Sequence, residues 1–328
     1  MPKLPAVALV SIGMLVLRTT APAVDGAPAM AADPVAVQIE MRNVRLHVDQ
    51  AVILDVEHLR GTMVSKSDRP PVFDDQNSYV MNVAAGTVSM DMASVTNLMN
   101  RYAFAYDGAP LKDVKARVQD DKLHLSGTLR KGIGIPFSSN ATVGVTEDGR
   151  LRFHVESLKA AGVPAKGLLG FFGLELDDIV NLKEKRGLDV QENDILLSPE
   201  QVLPPPRMHG RVVKAMLRGD RLVQTLGGAA PSKPLRKPSA RARNYIYFGG
   251  GEIRFGKLTM HDADLQLIDS DPRDPFDFYP ARYDAQLVAG YSKNTPQHGL
   301  MTFMPDYSDL PNSRRAAPKP ATQPANRQ

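Results

Sequence analysis

No cysteine occurs in this chain, which excludes disulfide staples, thiolate metal sites and a cysteine nucleophile. Tryptophan is absent as well, and only 6% of the residues are aromatic, so the aromatic platforms on which sugar-acting hydrolases bind their substrates are scarce. Charge of one sign is also limited. The formal net charge is +4 over 328 residues, and much of the excess falls in one linker and in the C-terminal tail, so no nucleic-acid surface is implied. What is present is 43% apolar and 23% charged residues, the composition of a globular protein able to bury a real core.

The N-terminus has a basic Lys3, an apolar segment from about Leu4 to Leu17 and a small-residue stretch containing Ala29-Met30-Ala31. This is the order of an export signal, and the apolar segment is shorter than the roughly 20 residues a spanning helix needs. Residues 1–32 therefore read as a signal peptide cleaved near Ala31 or Ala32. An uncleaved anchor is the alternative, because Arg18 and a long spacer depart from the usual cleavage site. Both place the rest of the chain outside the cytoplasm, in the periplasm or cell envelope.

Residues 33–226 are patterned as strands. Val37, Ile39 and Met41 alternate, then Val44, Leu46 and Val48 alternate in the opposite phase, which implies a bulge near Arg42-Asn43. Val52, Leu54 and Val56 continue the alternation, and after the polar loop Ser65–Ser78 so do Val88, Met90 and Met92. Val95, Leu98, Met99 and Tyr102 then fall at helical spacing, the apolar face of a helix that packs on the sheet. Val118 to Leu123, Val145 to Leu151 and Leu217 to Leu222 share one grammar: an apolar strand end, a tight Asp or Gly turn, a basic residue and an apolar strand start. They read as hairpins. Arg218-Gly219-Asp220 lies in one of them and reads as turn chemistry rather than as a recognition tripeptide.

Residues 227–243, with five basic residues among Gly, Pro, Ala and Ser, read as a flexible linker whose charge allows peripheral contact with anionic lipid. Residues 244–307 read as a smaller C-terminal β segment, and 308–328 as a disordered tail. The expected fold class is thus mainly β (α+β): a strongly curved antiparallel sheet wrapped around one or two helices.

No catalytic motif emerges, and the seven histidines lack the spacing of a zinc site. No cofactor is called for. The acidic loop with Asp269, Asp271, Asp274 and Asp277 has the oxygen ligands that calcium takes in sets of about six to eight. It lacks the glycine-centred turn and terminal Glu of an EF-hand, and a solvated turn in which Asp side chains cap local amides is the competing reading.

The run "LHLSGTLRKGIGIPFSSNATVGVTEDGRLRFHVESLKAAGVPAKGLLG", with "RVVKAMLRGDRLVQTLG" downstream, resembles the bacterial DUF2993 or LmeA-like family of exported phospholipid-binding proteins, related in architecture to tubular lipid-binding (TULIP) domains. The likeness covers about residues 35–226. It implies a TULIP-like half-barrel with an apolar groove that holds a phospholipid or fatty acyl ligand without catalysis. Two features depart from the family pattern: "VLPPPRMHG" stands where a regular strand is expected, and residues 244–306 have no counterpart. A structural or protein-interaction module with a fully packed core remains the alternative, its protein partner unknown.

In "PAKGLLGFFGLELDDIV", Leu168, Leu169, Phe172 and Leu176 gather on one side of a helical wheel, while Phe171 and Leu174 fall outside that stripe. With Val95, Leu98, Met99 and Tyr102 these six are the candidate lipid-groove residues. Replacing Phe171 and Leu174 together with serine is expected to weaken lipid uptake with little loss of folding stability; a large stability loss with unchanged uptake would assign both to the core.

Overall fold

A computed structural model describes residues 36–131, 133–164, 187–227 and 242–311. Its first part runs through β1 (Val37–His47), β2 (Ile53–Ser65), β3 (Tyr79–Asp91) and helix α1 (Met92–Leu98), which continues as a wider-wound π turn over Met99–Ala103. Next come β4 (Leu111–Gln119), β5 (Lys122–Lys131), β6 (Ile133–Val145), β7 (Leu151–Ala160) and the short β8 (Val163–Pro164). Beyond residue 186 follow β9 (Leu188–Gln191), β10 (Asp194–Leu197), helix α2 (Pro199–Val202), β11 (Arg207–His209), β12 (Arg211–Arg218) and β13 (Arg221–Gly227). The last part holds β14 (Tyr245–Gly249), β15 (Glu252–Phe255), β16 (Leu258–His261), β17 (Asp264–Asp269) and β18 (Phe276–Phe278). Helix α3 (Tyr283–Ala289), β19 (Tyr291–Asn294) and β20 (Leu300–Met304) close it.

Among the described residues the fold is dominated by strands, with few helices and no closed barrel. Two large sheets form instead of the single one expected. The first has the order β12-β13-β3-β2-β1-β14-β17-β20-β19, with β11 beside β3 and β18 beside β1; the second has the order β4-β5-β6-β7-β10-β9, with β8 beside β7. The first sheet is mixed rather than antiparallel, since β11 with β3, β18 with β1 and β17 with β20 are parallel pairs. Period-two alternation reports which face of a strand is buried and says nothing of its neighbour's direction.

The irregularity expected near Arg42-Asn43 has a specific cause. Asn43 adopts a left-handed backbone at φ 50°, and there the edge of β1 changes partner, from β14 at Gln38–Arg42 to β18 at Val44–Leu46. The Asn43 amide donates to Asn244 Oδ1 at 2.7 Å. The segment from residue 244 is thereby not a separate layer: β14 pairs with β1 and β17 with β14. All five residues of β14 are buried, because Phe248 meets Phe73 edge-on within the main core on one face while Tyr245, Tyr247 and Ile268 cluster on the other. Each such large apolar side chain contributes about 1.5–3 kcal/mol when fully buried.

The three expected hairpin turns join β4 to β5, β6 to β7 and β12 to β13. Asp120 and Asp121 both have positive φ, 52° and 57°, the geometry that two-residue hairpin loops favour. The turn between β6 and β7 also ties the two sheets together, since Gly149 O accepts from Val212 N of β12 at 3.1 Å.

Helix α1 is held between the sheets by its polar side chains. Asp91 caps it by accepting from Ser94 N at 2.7 Å, and Ser94 Oγ in turn accepts from Ile53 N of β2 at 3.1 Å. Toward the second sheet, Thr96 Oγ1 accepts from Ala116 N, and the Asn100 side chain both donates to Val114 O at 2.7 Å and accepts from Val114 N at 2.9 Å. Val114 sits in the bulge of β4 between Lys112 and Lys115, where its backbone groups lack ladder partners. Asn100→Ala is therefore expected to cost about 1–3 kcal/mol, because two buried backbone groups lose their partner; chemical denaturation measures it, and a loss below about 0.5 kcal/mol would show that water replaces the amide.

Candidate functional site

Between the two sheets lies a narrow apolar cavity of about 140 Å³, open at one side. The first sheet contributes Val83, Val88 and Met90 from β3 and Leu222, Gln224 and Leu226 from β13; the second contributes Leu123 and Leu125 of β5, Phe137 and Ser139 of β6, and Leu151, Phe153 and Val155 of β7. Alternation explains the lining, since in each strand every second side chain faces the same way. Leu188 and Val190 of β9 and Ile195 and Leu197 of β10 extend one wall, and Met208 and Gly210, which follow the Pro204–Pro206 connector, lie on another. The prolines that depart from a regular strand thus deliver β11 alongside β3 as part of the cavity wall. Among the described residues that line it, Ser139 and Gln224 alone bring polar side chains, and none is charged.

Val95, Leu98 and Met99, candidates from the sequence, border this cavity on the helical side, joined by Ala103 and Phe104. Tyr102 does not. Its hydroxyl donates to Asp49 Oδ2 at 2.5 Å, where Asp49 also accepts from Ala51 N and Val52 N in the turn between β1 and β2. Burial and the Asp49 carboxylate push the Tyr102 hydroxyl above its ordinary pKa. The helical spacing that placed Tyr102 with Val95 and Leu98 is altered where the helix widens into the π turn, which rotates the ring off the apolar stripe. The other six candidates, Leu168, Leu169, Phe171, Phe172, Leu174 and Leu176, lie outside the described residues. So do most of the basic linker, the N-terminal segment and the tail.

Most of the wall residues escaped the sequence reading. Leu123 and Leu125, and Leu151, Phe153 and Val155, alternate in the sequence as strand positions do, but alternation cannot say whether the inward face meets another sheet or a cavity.

Compared with known proteins, the chain matches no family model, no curated protein and no solved structure.

The acidic loop does not gather its carboxylates. Asp269 accepts from Asn244 Nδ2 at 2.8 Å and from Asp271 N at 2.7 Å, and Asp271 pairs with Arg273, whose hydrogen bond holds the Asp271 carboxyl below its ordinary pKa. The backbone oxygen of Asp274 accepts from Asn244, and Asp277 turns inward to His47. Among the described residues no three His, Asp or Glu side chains converge as a metal set. Local capping places the carboxylates of Asp269, Asp271 and Asp277 on three different amides, those of Asp271, Arg273 and Ser308, instead of a shared centre.

A second polar centre lies away from the cavity. His47 Nε2 lies 2.5 Å from Asp277 Oδ1, with the rings of Tyr279 and Tyr307 packed 5.3 and 5.2 Å from the imidazole. Burial pushes the Asp277 carboxyl up, but the hydrogen bond and charge of His47, with the Ser308 N–H, outweigh it and hold it below its ordinary value. Asp306, whose Oδ1 accepts from Asp277 N at 2.8 Å, is pushed up to about 7 by burial and by the neighbouring carboxylates of Asp269, Asp274 and Asp277.

A carboxyl whose folded pKa is raised does not weaken the fold below its unfolded value. It withdraws stability as pH rises from about 4 to about 7, because the unfolded chain ionises first. Asp306→Asn retains an acceptor for Asp277 N and removes that loss. The variant is expected to exceed the parent by about 1–2 kcal/mol at pH 8 and by almost nothing at pH 4; urea unfolding at the two values tests this, and an equal difference at both would contradict it.

Proposed function

We propose that this protein is an exported, non-catalytic lipid-binding or lipid-transfer protein of the bacterial cell envelope that holds acyl chains between its two sheets. The observation that carries the reading is the cavity itself, whose lining among the described residues is apolar apart from Ser139 and Gln224. Acyl chains require no polar partner along their length, and removing their surface from water contributes about 25 cal/mol per Å². A scaffold module with a fully packed core accounts less well for a cavity bordered by side chains from both sheets and α1.

Other features agree with the reading. The order of the N-terminal segment is that of an export signal. The resemblance to exported phospholipid-binding proteins covers β1 to β13, among which are the strands that bound the cavity, and the basic residues of the 227–243 segment suit contact with anionic lipid headgroups. The His47–Asp277 pair serves the fold in this reading, since its partners are the buried rings and backbone of the C-terminal segment.

Native mass spectrometry of protein purified from cells is expected to reveal a co-purifying phospholipid or fatty acid. Met99→Trp, which adds a bulky ring at the cavity's helical border, should lower uptake of a radiolabelled lipid at least several-fold while leaving the melting temperature within a few degrees. No co-purifying lipid together with no uptake by the parent protein would refute the reading.

A further inference from the structure

We propose that the cavity is selective for neutral acyl esters, because Ser139 and Gln224 present hydrogen-bonding groups to the carbonyl oxygens of a ligand within an otherwise apolar wall; this rests on the lipid-binding reading above. Both residues break a pattern. The inward set of β13 is Leu222, Gln224 and Leu226, and that of β6 includes Phe137 and Ser139. A wall that met hydrocarbon alone would carry an apolar side chain at each position.

Both residues are more than nine-tenths buried, with 6% exposure each. Buried polar side chains elsewhere in the described chain have protein partners: Ser94 with Ile53 N, Gln286 with Tyr279 N, Thr295 with Asp264, and Thr302 with Ser292. Among the described residues Ser139 and Gln224 have none, and both border the cavity. A buried amide or hydroxyl is normally satisfied, and one that faces a binding cavity instead is satisfied by what binds.

The chemistry of the pair narrows the ligand. A carboxamide offers two N–H donors and an acceptor, and a hydroxyl one donor and two acceptor lone pairs, which suits ester carbonyls that only accept. No Lys, Arg or His lines the cavity among the described residues, so an ionised carboxylate or phosphate would enter without a counter-charge, which is costly. The class that fits is the esterified acyl region of a glycerolipid, any charged headgroup remaining at the mouth, rather than a free fatty acid anion or a plain hydrocarbon.

The test compares radiolabelled dioleoylglycerol with the dialkyl glycerol ether of the same chain length, which lacks both carbonyls, in equilibrium uptake by the purified full chain. The parent protein is expected to favour the diester by about tenfold, the equivalent of one hydrogen bond made well in a dry site. Gln224→Leu, which keeps the volume and removes the polar atoms, should bring the ratio close to one, and Ser139→Ala should lower it by a smaller factor. Thermal melting establishes that each variant is folded, and the serine variant, the milder change, carries the test if the leucine variant is not. A ratio near one in the parent protein, or one that stays near tenfold in both variants, overturns this inference alone. Uptake of neither lipid overturns the lipid-binding reading and this inference with it.

Discussion

The ladder along β1 is the constraint on which the rest of the molecule depends. One edge of this strand pairs with β2 over nearly its whole length, and the other is shared between β14 and β18, which lie about 200 residues further along the chain. Closing so long a loop is entropically expensive, though the cost grows only slowly with length. It is offset by the burial of Ile246, Phe248, Leu265, Leu267, Phe276 and Phe278. Three polar ties fix the register at the same edge: Asn43 to Asn244, Tyr245 to Glu40, and His47 to Asp277.

That single strand divides the first sheet into regions with different packing. Toward β14 and β17, aromatic rings fill the interior, with Phe73 in contact with Phe248, Phe255, Phe278 and Tyr283. Toward β3 and β13 the first sheet presents mainly aliphatic side chains, and the second sheet, with Phe137 and Phe153 among its aliphatic residues, faces it across the cavity. Helix α1 belongs to both regions, since its polar side chains bond to β2 on one side and to β4 on the other. Its apolar residues are thereby directed at the cavity without being free to pack flat on either sheet. The proposed lipid site is in this sense a product of the architecture: a rigid, closely packed half holds the strands, and the other half holds the sheets apart.

The two polar centres differ for a related reason. In the aromatic half, Asn244, Asp269, Asp277, Gln286 and Asp306 satisfy one another or backbone groups. The network leaves two residual costs, the raised pKa of Asp306 and the His47 Nδ1, which is buried without a hydrogen-bond partner among the described residues. On the cavity wall, Ser139 and Gln224 have no such network among the described residues, which is what makes them informative about a ligand.

The chain's own residues determined the elements. Alternation located β1, β2 and β3, Asp and Gly residues located the hairpin turns, and the spacing of Val95, Leu98 and Met99 marked the helix whose apolar face borders the cavity. These features are local, decided by side-chain period and backbone preference within a few residues. The tertiary structure alone decided that β14 joins β1, that two sheets form where one was expected, that Tyr102 turns to Asp49, and that Gln224 and Ser139 face an apolar space. Each of these depends on which strand lies next to which across a long separation, and the period-two pattern is the same whichever partner a strand takes.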